Sequence, residues 1–107
     1  MTEERQLNTL RLLDTNPKMS QRELAAALGI SLGATNYCLK ALVEKGWVKL
    51  GNFQNSSNKL GYLYLLTPMG LVAKTALTTR FLRQKVKEYE ALKFEIEQLK
   101  NEVNKTR

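Results

Sequence analysis

Apolar residues recur along this chain at two different periods, and the places where the period changes mark its elements. Leu7, Leu10 and Leu13, with Leu12 at the flank, follow the three-to-four spacing of an amphipathic helix. Thr2 is placed to cap that helix, Glu3 and Glu4 put negative charge in its first turn, and Asn16-Pro17 ends it. A second helix opens with the capping box Ser20-x-x-Glu23, carries Leu24, Ala27 and Leu28 at helical spacing, and stops at Gly29. After a turn of about three residues Ser31 caps a third, whose apolar stripe is Thr35, Leu39, Leu42 and Val43 and which Gly46 closes. Two short helices joined by so tight a glycine turn have the spacing of a helix-turn-helix.

From Trp47 the period becomes two. Trp47-Val48-Lys49-Leu50 and Tyr62-Leu63-Tyr64-Leu65-Leu66 predict two strands, and the polar stretch between them, residues 51–59, predicts a hairpin with a long tip. Thr67-Pro68 then starts a final helix, with threonine as cap and proline at the first helical position. A helix of about 35 to 38 residues spans more than about 50 Å at about 1.5 Å per residue, too long for so small a domain to bury. Its apolar side needs another cover.

A heptad register supplies one. With Tyr89 at position a, Leu82, Tyr89, Ile96 and Val103 occupy a, and Leu92 and Leu99 occupy d, while Lys85 and Thr106 at d weaken the ends. Glu88, Glu95 and Glu102 fall at g, and Lys93, Lys100 and Arg107 at e. In a parallel pair each glutamate meets a cation five positions along its partner, whereas an antiparallel pair sets like charge against like. Each exposed pair contributes only about 0.2–1 kcal/mol, so these charges select orientation more than they supply affinity. The register predicts a parallel homodimer with Leu82, Tyr89, Leu92, Ile96, Leu99 and Val103 as its interface. Phe94 falls at the outward f position and has no place in a simple dimer.

The segments ELAAALGIS, LKALVEKGWV and LTPMG resemble winged helix-turn-helix transcription regulators of the MarR family, and among these the short subgroup associated with exopolysaccharide synthesis. The resemblance covers roughly residues 4–75. It implies a mainly α fold with a small β-hairpin: a winged helix-turn-helix DNA-binding domain over residues 1–67, then a long C-terminal coiled-coil helix over residues 68–107. It makes the hairpin the wing, which lies along DNA. The chain departs from the family in lacking an arginine near the wing tip, where Lys59 stands with Asn55 and Ser57. It also lacks a long extra N-terminal helix, so its dimer is expected to differ from the common one.

On this reading the third helix is the reader. With Thr35, Leu39 and Leu42 inward, Leu32, Gly33, Ala34, Asn36, Tyr37 and Lys40 lie on or near the opposite side. Asn36 has the donor and acceptor to bind adenine, Tyr37 can meet a phosphate or a thymine methyl, and Lys40 a phosphate. Ser20, Gln21 and Ser31, at helix starts whose free N–H groups attract anions, are backbone anchors. Asn55, Ser57 and Lys59 are phosphate contacts of the wing.

Composition narrows the classes. A net charge of +7 favours a polyanionic partner. With no histidine and one cysteine, an internal disulfide, a Cys/His metal cluster and most histidine-dependent catalysis drop out, and no cofactor is expected. Cys38 is expected as a small core-edge residue rather than a redox switch, since there is no second cysteine to resolve a sulfenate. Lys74, Arg80, Arg83, Lys85 and Lys87 form a basic collar with no acid among residues 68–87. No signal-peptide pattern and no apolar run of about 18 residues occur, which points to the cytoplasm and away from membranes. Small-molecule effectors are common in the resembling family, but this chain has little material for a pocket and none is expected. The expectation is a non-catalytic, homodimeric regulator binding a pseudo-palindromic operator in double-stranded DNA. A nonspecific architectural DNA binder and a protein–protein adaptor are the alternatives.

Overall fold

The computed structural model describes residues 1–54 and 60–106. Three helices come first: α1 (Glu3–Thr15), α2 (Gln21–Leu28) and α3 (Leu32–Glu44). An antiparallel hairpin of β1 (Val48–Gln54) and β2 (Leu60–Leu66) follows, and α4 (Pro68–Lys105) ends the chain. By contacts the chain divides into two compact units, Met1–Leu77 and Thr78–Arg107.

The helix starts are those the caps predict. The Arg5 N–H donates to Thr2 Oγ1, the Glu23 N–H to Ser20 Oγ with the Glu23 carboxylate accepting from the Ser20 N–H, and the Ala34 N–H to Ser31 Oγ. Gly29 and Gly46 sit at φ 69° and 77°, a conformation that crowds any Cβ, so each ends its helix where the chain must turn. The axes of α2 and α3 cross at 103°, within the range of a helix-turn-helix.

The core of the first unit gathers Leu7, Leu10 and Leu13 of α1, Leu24 and Ala25 of α2, Cys38, Leu39 and Leu42 of α3, Val48 of β1, Tyr64 of β2 and Leu77 of α4. Two threonines are fully buried with them. Each spends its hydroxyl on the carbonyl four residues back, Thr9 on Arg5 and Thr35 on Ser31, so that only the methyl faces the core. Among the described residues no buried side-chain nitrogen or oxygen lacks a partner.

Three expectations from the apolar pattern are corrected. Ala27 is exposed, while Ala25 is buried and Leu28 half-buried. At about 100° per residue the buried arc of α2 centres between Leu24 and Ala25, and Ala27 lies roughly 110° away from it. On α3, Cys38 and Val43 exchange roles. Cys38 is 1% exposed, inside the core rather than at its edge, and Val43 is 40% exposed at the rim of the helix. The strands also run further than their residue types predict. Gly51 to Gln54 join β1 because Leu60 to Leu63 pair with them in register, Gly51 opposite Leu63 and Gln54 opposite Leu60. A partner strand outweighs the weak β-propensity of glycine and asparagine.

The first turn of α4 is tied to the junction between α3 and β1. The Trp47 N–H donates to the Leu42 carbonyl, and the Trp47 carbonyl accepts from the Thr67 N–H at 3.0 Å. Thr67 Oγ1 donates to the Gly46 carbonyl and accepts from the Gly70 N–H. Gly70 is buried against the Trp47 backbone, and a Cβ there would overlap the Trp47 carbonyl. Lys74 adds an ion pair to Asp14 of α1 at 2.7 Å, so one member of the basic collar is partnered within the unit.

Gly70→Ala is expected to destabilise the fold by about 2 kcal/mol or more, because the neighbour that must yield is backbone rather than a flexible side chain. Gly33→Ala, at a helical site with nothing within 4 Å, should be neutral or stabilising by about 0.5–1 kcal/mol. Urea unfolding of the two variants tests the contrast.

Candidate nucleic-acid interface

The face of α3 turned away from the core carries Leu32, Gly33, Tyr37 and Lys40, all exposed, with Asn36 half-buried beside them and Ala34 half-buried at the flank. Tyr37 is a large aromatic ring left 66% exposed. This separation follows from the register of α3, since Thr35, Cys38, Leu39 and Leu42 take the opposite arc. The first turn of α3 holds small side chains at Gly33 and Ala34, which leaves its backbone open to close approach.

Ser20 and Ser31 are exposed caps, so α2 and α3 both begin at the surface, where backbone N–H groups face outward. Gln21 is different. Its side chain lies in the buried arc of α2, where Nε2 donates to the Tyr64 hydroxyl at 2.9 Å, forty-three residues away. The Tyr64 N–H donates to the Pro17 carbonyl at 3.1 Å, so β2 is joined twice to the start of the helix-turn-helix.

Asn36, Lys40, Val43 and Glu44 of α3 line a groove of about 340 Å³ together with Gln21, Leu39, Leu50 and Tyr64. Leu50 and Tyr64 are direct cross-strand partners, which places both side chains on the same face of the hairpin. Asn36, Lys40 and Gln21 are among the residues the sequence offers as DNA contacts, and the groove sets Tyr64, Val43 and Leu50, which the sequence does not single out for that role, beside them. Alternation along β2 could have shown which way Tyr64 faces, but no local pattern shows that Gln21 holds its hydroxyl. Asn55, Ser57 and Lys59 lie outside the described residues. Lys45, not singled out from sequence, stacks its ammonium 4.6 Å from the Trp47 ring centre, and so is held against the domain.

In the single chain the six residues of α4 expected at a dimer interface are all exposed, from Ile96 at 42% to Leu82 at 63%. Phe94 is 65% exposed. Glu88 receives a hydrogen bond from Lys85 at 3.2 Å, an exposed pair weak enough to exchange for another cation. No single helix among the described residues is long and apolar enough to cross a membrane, and none of their acidic and cysteine side chains form a group of three that could hold a metal.

A family model described as winged helix-turn-helix DNA-binding matches residues 2–49. No curated protein matches the chain. Among solved structures, the fold is similar to that of a mutant of MepR from Staphylococcus aureus, with 22% identity, a TM-score of 0.68, and 99% of this chain and 77% of that one covered. It is similar to a MarR/EmrR family transcriptional regulator from Acinetobacter sp. ADP1, at 22% identity and a TM-score of 0.62, covering 98% and 76%. FabT of Streptococcus pneumoniae, solved in complex with DNA, matches at 19% identity and a TM-score of 0.55, over 78% of this chain and 56% of its own length. The chain therefore has the winged helix-turn-helix fold found in MarR-family regulators.

Burial gives Cys38 a definite behaviour. In the native protein it should react with a thiol reagent at least tenfold more slowly than in urea, because the sulfur is not reached without opening the core. Timed alkylation followed by mass measurement checks this.

Proposed function

We propose that this winged helix-turn-helix chain is a sequence-specific, double-stranded DNA-binding regulator of transcription that acts as a parallel homodimer and without catalysis. The observation that carries the proposal is the uncovered face of α3, where Asn36, Tyr37 and Lys40 stand beside a first turn of small residues. A helix presented in this way fits the major groove, with Asn36 on a base edge, Lys40 and Tyr37 on the backbone, and Ser20, Gln21 and Ser31 anchoring through main-chain N–H groups. Leu32, Gly33 and Ala34 allow the approach. The hairpin acts as the wing, with Asn55, Ser57 and Lys59 on phosphate.

The α4 seam supports the dimer. Its apolar a and d residues have no cover within the single chain, and the glutamates at g and cations at e match only in parallel. Two subunits joined side by side place two readers on one face of the duplex, so the operator is pseudo-palindromic, with half-sites one helical turn or a small multiple apart. The resemblance of ELAAALGIS and LTPMG to the exopolysaccharide-associated subgroup makes such genes the proposed targets. The net charge of +7 supports the polyanionic partner, and a cytoplasmic location follows from that role.

Selection of bound sequences from random duplex DNA, with mass measurement in solution, tests the whole proposal. A recovered two-fold motif bound roughly 10³-fold or more above random sequence supports it, and equal binding to all sequences makes the protein an architectural binder instead. Asn36→Ala should relax preference at one base pair, at a cost of about 1–3 kcal/mol, whereas Lys40→Ala should weaken every sequence alike and lower the salt slope by about 1. Ile96→Glu should give monomers by sedimentation and bind the operator far more weakly than the parent.

A further inference from the structure

The groove between α3 and the hairpin is rich in donors that the chain does not use. The Tyr64 hydroxyl accepts from Gln21 Nε2 at 2.9 Å, and among the described residues no acceptor takes its hydrogen. A phenol has one donor and two lone pairs, so the bond to Gln21 leaves that hydrogen to give. The ring is 8% exposed and held on both sides, by Gln21 at the oxygen and by the pairing of Tyr64 with Leu50 along the sheet. Lys40 and Asn36 line the same groove, and among the described residues neither has an ion-pair or hydrogen-bond partner. Glu44 also lines it. It stands one turn beyond Lys40, about 6 Å along the helix axis, and two beyond Asn36, so the acid is at the C-terminal end of the groove and an anion there sits toward the N-terminal side of Lys40.

Two of these unspent donors, the Tyr64 hydroxyl and the cationic Lys40, call for an acceptor that carries negative charge and offers more than one oxygen, while Asn36 beside them is the proposed base contact. Beside them Leu50 is 55% exposed and Val43 40% exposed, an apolar surface next to a polar cluster. A phosphodiester with its deoxyribose has both characters: two charged oxygens that only accept, and a sugar whose C–H groups are apolar.

We propose that this groove seats one backbone phosphate of the duplex, with the Tyr64 hydroxyl as an uncharged donor to it, Lys40 as the charged one, and Val43 and Leu50 against the adjoining sugar. Gln21 is then a positioning residue that fixes the direction of the Tyr64 hydroxyl. This rests on the reading of α3 as the DNA reader and adds a contact, from β2, that fixes how the reader and the hairpin straddle one strand.

The test uses the full chain and Tyr64→Phe, which keeps the ring and its sheet pairing and removes one oxygen. Binding should weaken about tenfold on selected and random duplexes alike, as for loss of one hydrogen bond to a charged acceptor. The salt slope should stay at the parent value, because a phenol displaces no counterion, whereas Lys40→Ala lowers it. A scan of the bound duplex with single neutral methylphosphonates should then find one position where the parent loses affinity and Tyr64→Phe loses no more. Gln21→Ala should weaken binding severalfold in the parent and not at all in the Tyr64→Phe background. Unchanged affinity of Tyr64→Phe overturns the proposal, and so does a loss that persists in full at every methylphosphonate position, which would mark an effect through the fold. A parent protein that binds no duplex even at about 50 mM salt overturns instead the reading of α3 on which this rests.

Discussion

The backbone of Trp47 is the joint on which the first unit depends. Its N–H closes the end of α3 on Leu42, and its carbonyl accepts from Thr67, the cap of α4. Gly70 lies so close that no larger residue fits without moving main chain. Three elements thus share a single residue's peptide groups: α3, β1 and α4. Main-chain hydrogen bonds have fixed geometry, so this joint sets the start of α4 more narrowly than side-chain packing could.

A second constraint is polar satisfaction, and it separates scaffold from surface. Inside the unit the buried hydroxyls of Thr9 and Thr35 are spent on their own helices, and the Lys74–Asp14 pair is closed. On the α3 side the pattern reverses, since exposed Lys40 and half-buried Asn36 have no hydrogen-bond or ion-pair partner among the described residues. Those open donors and the exposed Tyr37 ring are what the proposed contact with DNA would use. The apolar a and d residues of α4 are exposed in the single chain, and the parallel dimer proposed above would cover them.

Most of the architecture was legible from local signals. Capping at Thr2, Ser20, Ser31 and Thr67, and the turns at Gly29 and Gly46, depend on neighbours within about four residues, so each could be read where it stands. The stripes of α2 and α3 were legible only approximately. Ala27 and Val43 fit an apolar face by type, yet the core took Ala25 and Cys38, because a small helix buries whichever arc its neighbours cover. Gly51 to Gln54 were drawn into β1 by a partner strand that no local propensity encodes.

What the sequence determined alone, then, is what short-range chemistry controls: helix ends, the order of elements and the outward placement of Tyr37 and Lys40. Only the tertiary structure decided which side chains meet across long stretches of chain. The hydrogen bond from Gln21 to Tyr64, the ion pair of Lys74 with Asp14, and the contact of Gly70 with Trp47 join residues 43, 60 and 23 positions apart. Such pairings come from how the elements pack, and packing is a property of the whole unit that no local pattern carries.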